Sequence, residues 1–234
     1  MVNDIKALAS VTAKSHAVLV VDAISGLLAE ECLTDAWGVD VAVSGSQKAL
    51  MLPPGLAFLS ISEKAWKLVE QAKGPRFYFD LRHYQKSIVD DDTPFTSSVS
   101  LVVALDEALK LILQMGVPQV VQRCNRMAHA ARAGVEAMGL TLFAKRPANG
   151  VTSVNMPAGL DGKKLTKLVA DRFNITIAGG QGEMTGKIFR LAHMGAIAPF
   201  DVLVALGAIE LVLAEMGASV TPGVYAVWKN QPDS

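Results

Sequence analysis

Cysteine is scarce in this chain. Cys32 and Cys124 lie far apart with no second Cys or His at zinc-like spacing, which excludes a disulfide framework and a metal knuckle and suits a reducing cytoplasm. Net charge is missing too: 22 Lys and Arg balance 22 Asp and Glu, leaving no basic stripe for phosphates, so no nucleic acid partner is expected. The opening Met1-Val-Asn-Asp-Ile-Lys lacks the basic start, apolar stretch and cleavage site of a signal peptide, so no export is expected. Long hydrophobic runs are absent. Residues 17–28 and 202–213 are interrupted by Asp22 and Glu210 and fall short of the roughly 20 residues a membrane span needs, so they are read as a buried strand and a core helix. His16, His83, His129 and His193 show no metal spacing and are expected to be surface or packing residues, and no metal is expected. What remains is a chain that is 51% hydrophobic, enough for one large or two small cores, and therefore globular.

Periodicity predicts an α/β order. A short helix over 4–15, with Asn3 as its cap, precedes the aliphatic run 17–21, which reads as a parallel strand covered on both faces and ends on Asp22. Further strands are predicted over 39–43 and 56–61, then helices over 63–73, 99–115 and 119–138, with Gly116-Val-Pro as a break. The helix near 100–115 is long enough to bridge two domains. Beyond it come strands at 140–144, 151–155, 175–178 and 188–193, helices at 163–173 and 200–216, and a loosely held tail containing Pro222 and Pro232.

Two residues carry the chemical interest. Asp22 closes one apolar strand and Lys48 follows the next, and strand ends in open α/β sheets lie along the ligand-binding edge. An amine and a carboxylate there suit pyridoxal phosphate, whose aldehyde needs a lysine and whose ring nitrogen needs an acid to stay protonated. Spacing alone leaves a turn aspartate and a solvated lysine equally open. The wording decides: Val21-Asp-Ala-Ile-Ser, then Val43-Ser-Gly-Ser-Gln-Lys-Ala, then Pro53-Pro-Gly resembles the class V aminotransferases over essentially the whole chain. Within them it resembles the alanine–glyoxylate and serine–pyruvate branch, including the cyanobacterial relatives described as a soluble hydrogenase subunit.

That resemblance implies a fold type I transferase dependent on pyridoxal 5′-phosphate. Residues 1–115 would be the C-terminal part of the cofactor-binding large domain, with a mostly parallel sheet, and 116–234 a small α/β domain. Lys48 would hold the cofactor as a Schiff base and shuttle the substrate's α-proton, and Asp22 would pair with the ring nitrogen. Ile24 would press on one ring face and Gln47 would contact the phosphate. In Thr93-Pro-Phe-Thr-Ser, Thr96 would reach the phosphate of the partner subunit in a homodimer, although a Ser or Thr before an apolar helix is also an ordinary cap. Thr93 stands where many relatives carry Tyr. In Gly186-Lys-Ile-Phe-Arg-Leu-Ala-His-Met-Gly, Arg190 would grip the substrate α-carboxylate through its planar fork; read without the family, a strand arginine is more often an ion-pair partner.

Other motifs fail. Gly179-Gly-Gln-Gly-Glu-Met-Thr-Gly-Lys misses P-loop spacing at Gln181 and Ile188 and is read as a turn at the site's rim. Tyr78 is read as core or interface. The resemblance begins within the family's large domain, so its N-terminal third is expected to be absent, leaving a strand edge and apolar faces open near Asp22. The expected reaction is transfer of an amino group from alanine or serine to glyoxylate or pyruvate. The alternatives are a split or inactive fragment acting as a subunit or interaction module, and a cysteine desulfurase. The last fits poorly, with Gln47 where those enzymes carry His and no suitably placed Cys.

Overall fold

The computed structural model describes residues 2–221. The tail expected beyond Pro222 lies outside the described residues. Two compact units form: one from Asp4–Leu27 and Cys32–Gln114, the other, among the described residues, from 2–3, 28–31 and 115–221.

In the first unit, α1 (Ile5–Thr12) is capped by Asp4, whose carboxylate accepts the Ala7 amide at 2.9 Å; Asn3, the expected cap, lies one residue too early. Strand β1 (Val20–Asp22) pairs parallel with β2 (Val41–Gly45), and β3 (Ala57–Ile61) joins β2 antiparallel, giving the order β1-β2-β3. The run 17–21 was expected to be covered on both faces. Instead β1 is a short edge strand and its Val20 is 60% exposed. A single turn, α2 (Thr34–Trp37), leads to Asp40, which accepts from the Leu19 amide and the Ser62 hydroxyl, both at 2.9 Å, and faces Lys64 at 3.4 Å. Burial works to raise the Asp40 carboxyl, but these partners together hold it below its ordinary range. One side chain thus ties the approach to β1, the approach to β2 and the cap of α3 (Glu63–Gln71).

Helix α4 (Leu81–Val89) was not expected. It buries no residue and starts on Asp80, whose carboxyl is held well below its usual range chiefly by Arg82, with Arg76 adding. Helix α5 (Val99–Met115) has the predicted bounds but buries only Ala108 and Ile112, leaving Val99, Val103, Leu111 and Leu113 open.

In the second unit, α6 (Val117–Ala137) starts directly after Gly116, which adopts φ 89° as its cap. The expected break is therefore a helix start, since Pro118 in the first turn gives up an amide that has no helical acceptor. Strand β4 (Val151–Asn155), helix α7 (Gly162–Phe173), strands β5 (Ala178–Gly179) and β6 (Ile188–Ala192), and helix α8 (Pro199–Glu215) follow. The sheet is antiparallel, order β4-β6-β5. Two predicted strands shrink: 140–144 contributes a bridge from Leu142 to Val154, and 175–178 becomes the two-residue β5. Helices α6, α7 and α8 close over a continuous core that includes the fully buried Phe189, Val154, Leu165, Val169, Leu206, Ile209 and Leu213.

The second unit also takes in Leu28–Glu31 from within the first unit's sequence. The Glu30 carboxylate accepts from both the backbone and the side-chain amide of Asn149, while the Asn149 side-chain oxygen accepts from Arg132 at 3.1 Å.

Candidate functional site

The carboxyl ends of β1 and β2, the one parallel strand pair among the described residues, come first, because ligands in open α/β sheets bind at such strand ends. Register sets Asp22 opposite Val43, and the Ala23 amide donates to the Val43 carbonyl at 2.9 Å. One Asp22 oxygen accepts from the Ile24 amide at 3.0 Å, a local turn closure; the other has no partner among the described residues, and the carboxylate is exposed. Ile24 is half-buried on that turn.

Past Gly45 the chain enters a loop fixed by Ser46, which is fully buried. Its hydroxyl donates to the Pro53 carbonyl at 2.7 Å and accepts the Leu56 amide at 3.2 Å, and its carbonyl accepts the Leu52 amide at 3.1 Å. Ala49, Leu50 and Leu52 anchor the loop by burial. Gln47 and Lys48 ride on this pinned turn: Gln47 is exposed and Lys48 half-buried. The Lys48 carbonyl accepts the Met51 amide at 3.0 Å, but its amine makes no hydrogen bond or ion pair among the described residues. An unpartnered amine and a carboxylate with one open oxygen thus follow the carboxyl ends of adjacent parallel strands. That donor set matches what a pyridine aldehyde needs.

Thr96 stands on the loop before α5, in the same unit. Thr93 closes the turn by donating to the Phe95 carbonyl at 2.7 Å, and the Phe95 ring stacks on Tyr78 at 4.6 Å. The Thr96 hydroxyl is exposed and caps no helix amide among the described residues, so it is available to an external acceptor.

Arg190 belongs to the second unit. It stands on β6 opposite Ser153 of β4 and Ala178 of β5, half-buried, with its Nε donating to the Gly179 carbonyl at 2.9 Å. No carboxylate pairs with it among the described residues, so both terminal nitrogens stay free. The glycine turn after β5 is sterically exacting: a Cβ on Gly180 would lie 1.9 Å from the Met184 carbonyl oxygen.

Sequence reasoning missed the residues that hold these groups in place. Ser46 was visible only as part of a Ser-Gly-Ser string, and Asp40 only as a polar residue before a strand. His193, read as surface or packing, is fully buried with Nε2 2.9 Å from the Thr152 hydroxyl, and Nδ1 makes no well-formed hydrogen bond. Burial pushes its pKa down to about 4, opposed by the nearby Asn149 backbone and aided by Arg132. The Cys124 thiol donates to the Asn149 carbonyl at 3.0 Å, and burial, with Glu30 adding, pushes it up to about 11. Burial also raises Cys32. Neither sulfur is a ready nucleophile.

Residues 1–195 match the family described as aminotransferase class-V. The soluble hydrogenase small subunit of Synechococcus sp. (strain PCC 6716) is 41% identical over 95% of this chain and 59% of its own length. The L-aspartate–glyoxylate aminotransferase of Paracoccus denitrificans is 36% identical over 90% of this chain and 54% of its own. Among solved structures, pyridoxamine–pyruvate aminotransferase from Mesorhizobium loti superposes with a TM-score of 0.93 at 32% identity, over 98% of this chain and 61% of that one. The chain thus spans rather more than half the length of the relatives it matches.

Proposed function

Because the chain belongs to the aminotransferase class-V family, we propose that it carries the lysine-bearing part of a fold type I site that moves an amino group from alanine or serine to glyoxylate or pyruvate. The family depends on pyridoxal 5′-phosphate. When bound, that cofactor supplies an electron sink for the charge left at the substrate's α-carbon. The observation that carries the reading is the Lys48 amine without a partner on a pinned loop, with the open Asp22 carboxylate ending the neighbouring parallel strand.

Lys48 Nζ is the covalent anchor and takes the proton from the substrate's α-carbon. Asp22 keeps the ring nitrogen protonated, and Ile24 covers one ring face. Gln47 holds the phosphate, joined in a homodimer by Thr96 acting on the partner subunit's site. Arg190 offers its free guanidinium edge to the α-carboxylate. Residues 1–115 act as part of the cofactor-binding domain and 116–234 as the small domain, in the cytoplasm. Small oxo acids as acceptors agree with the glyoxylate and pyruvate in the relatives' names. Among the described residues no helix is long and apolar enough to cross a membrane.

The test is borohydride reduction of the chain with added cofactor, followed by peptide mapping. Label on Lys48, absent in Lys48→Ala, together with amino transfer from alanine or serine, is the expected result. A chain that takes up label elsewhere, or transfers nothing even when supplied with the segment its relatives carry beyond it, refutes the assignment.

One observation favours a second reading, that of a subunit or interaction module. The edge strand β1 and the outward side chains of α5 leave apolar surface open. A partner captured equally by wild type and Lys48→Ala, with no amino transfer, supports that reading instead.

A further inference from the structure

Strand β6 and the residue just past its end carry side chains of opposite destiny. Arg190 faces away from the core, and three residues on His193 is sealed in it. An imidazole in apolar surroundings is costly to bury, and an aliphatic side chain there would extend the cluster of Phe189, Leu191 and Val154. Its hydrogen bond goes diagonally across the ladder to Thr152, itself fully buried, while Thr152 stands directly opposite Leu191.

That diagonal matters for register. A one-residue slip of β6 against β4 is forbidden by the hydrophobic pattern, because it would turn Phe189 and Leu191 outward. A two-residue slip keeps each side chain on its own face, so the inside–outside pattern that forbids the one-residue slip does not by itself exclude it. It would carry Arg190 about 7 Å along β4, at about 3.4 Å per residue. In one direction the slip strands the His193 imidazole and the Thr152 hydroxyl apart in the core. In the other it draws β6 from Asn149, although the Cys124 thiol reaches the carbonyls of both Asn149 and His193, at 3.0 and 3.6 Å.

We infer that His193, through Thr152, is a positioning residue: the buried pair fixes the β4–β6 register that presents Arg190 to the substrate carboxylate. A single polar pair then acts as a buried asparagine does in a coiled coil, specifying one alignment among those that keep the same side chains facing the core. The functional half of this inference rests on the proposed role of Arg190; the register half does not.

The experiment is the double variant Thr152→Val, His193→Leu in the full chain. Replacing both partners by apolar groups of similar shape removes the hydrogen bond without leaving an orphan. Thermal stability should stay near that of wild type. Amide exchange in the peptide 188–193 should nonetheless quicken selectively, and the dissociation constant for alanine on the cofactor-loaded chain should rise about tenfold, the scale of one lost oriented contact. Native protection of 188–193 together with unchanged alanine affinity would overturn the inference. His193→Gln, which keeps an amide nitrogen near the Nε2 position, should preserve both readouts; loss of both in a Gln variant of native stability would also overturn it. If wild type binds no alanine, the transamination reading fails, while the exchange data still decide the register.

Discussion

The two units are held together by different forces. In the second, residues from α6, α7, α8 and the sheet interlock in one sealed apolar cluster. In the first, the buried apolar cluster about β1 is Val21, Ala23 and Val39, and much of the order comes from side chains bonded to distant backbone: Asp40 to Leu19, and Ser46 to Pro53 and Leu56. Apolar packing spreads the load over many contacts, so loss of one large side chain is felt by all its neighbours. A polar pin concentrates it in one group. The proposed cofactor residues sit on the pinned unit, and the proposed carboxylate residue sits on the packed one.

Four experiments sharpen or break that contrast. Phe189→Ala should have the largest effect, lowering the stability of the second unit by about 3–5 kcal/mol in a urea titration, as truncation of a sealed aromatic does. A small effect there would mean the cluster is not the main support.

Acid comes next. The unfolded imidazole of His193 titrates near 6.5 and the folded one at about 4, so between those values the unfolded chain holds the extra proton. Its contribution, on the order of 3 kcal/mol, is therefore complete above pH 6.5 and lost as pH falls toward 4. Asp40, lowered in the folded state, contributes fully above the ordinary carboxylate value near 3.9 and loses its contribution only as pH falls further. The second unit should thus weaken first on acidification, and His193→Gln should remove that early phase in a pH series of thermal melts. An early weakening of the second unit that persists unchanged in the Gln variant would contradict the assignment.

Ser46→Ala should cost about 1–2 kcal/mol, since it leaves the part-buried Leu56 amide without its acceptor, and should weaken cofactor uptake by loosening the loop under Lys48. Fluorescence titration with the cofactor measures this. Lys110→Ala, which removes an exposed ion pair with Asp106 and Glu107 on α5, should leave the melting midpoint unchanged.

Legibility in the sequence cut across that divide. The bounds of α5 and β4 were read directly and those of α8 within a residue. Helix α4 escaped although Leu81, Tyr84 and Ile88 fall at helical spacing, because it is only nine residues long and buries no residue. The strand predicted over 140–144 has aliphatic residues but forms only a bridge at Leu142. Site candidates were legible as words, above all the string ending in Lys48. Their supports were not. Asp40 joins residues 21 and 22 positions away, and His193 finds Thr152 41 positions earlier; no local pattern announces such pairs.

Glu30 has a practical consequence for dissection of the molecule. Because 28–31 folds with the second unit while the residues on either side of it fold with the first, the second unit is not a contiguous gene segment. An expression clone beginning at Met115 would deprive the Asn149 amide and carboxamide of their shared acceptor and leave Arg132 and Cys124 gathered around an untethered residue. A fragment designed to stand alone needs the 28–31 tetrapeptide spliced back, for instance through a short linker, or a substitute carboxylate at Asn149.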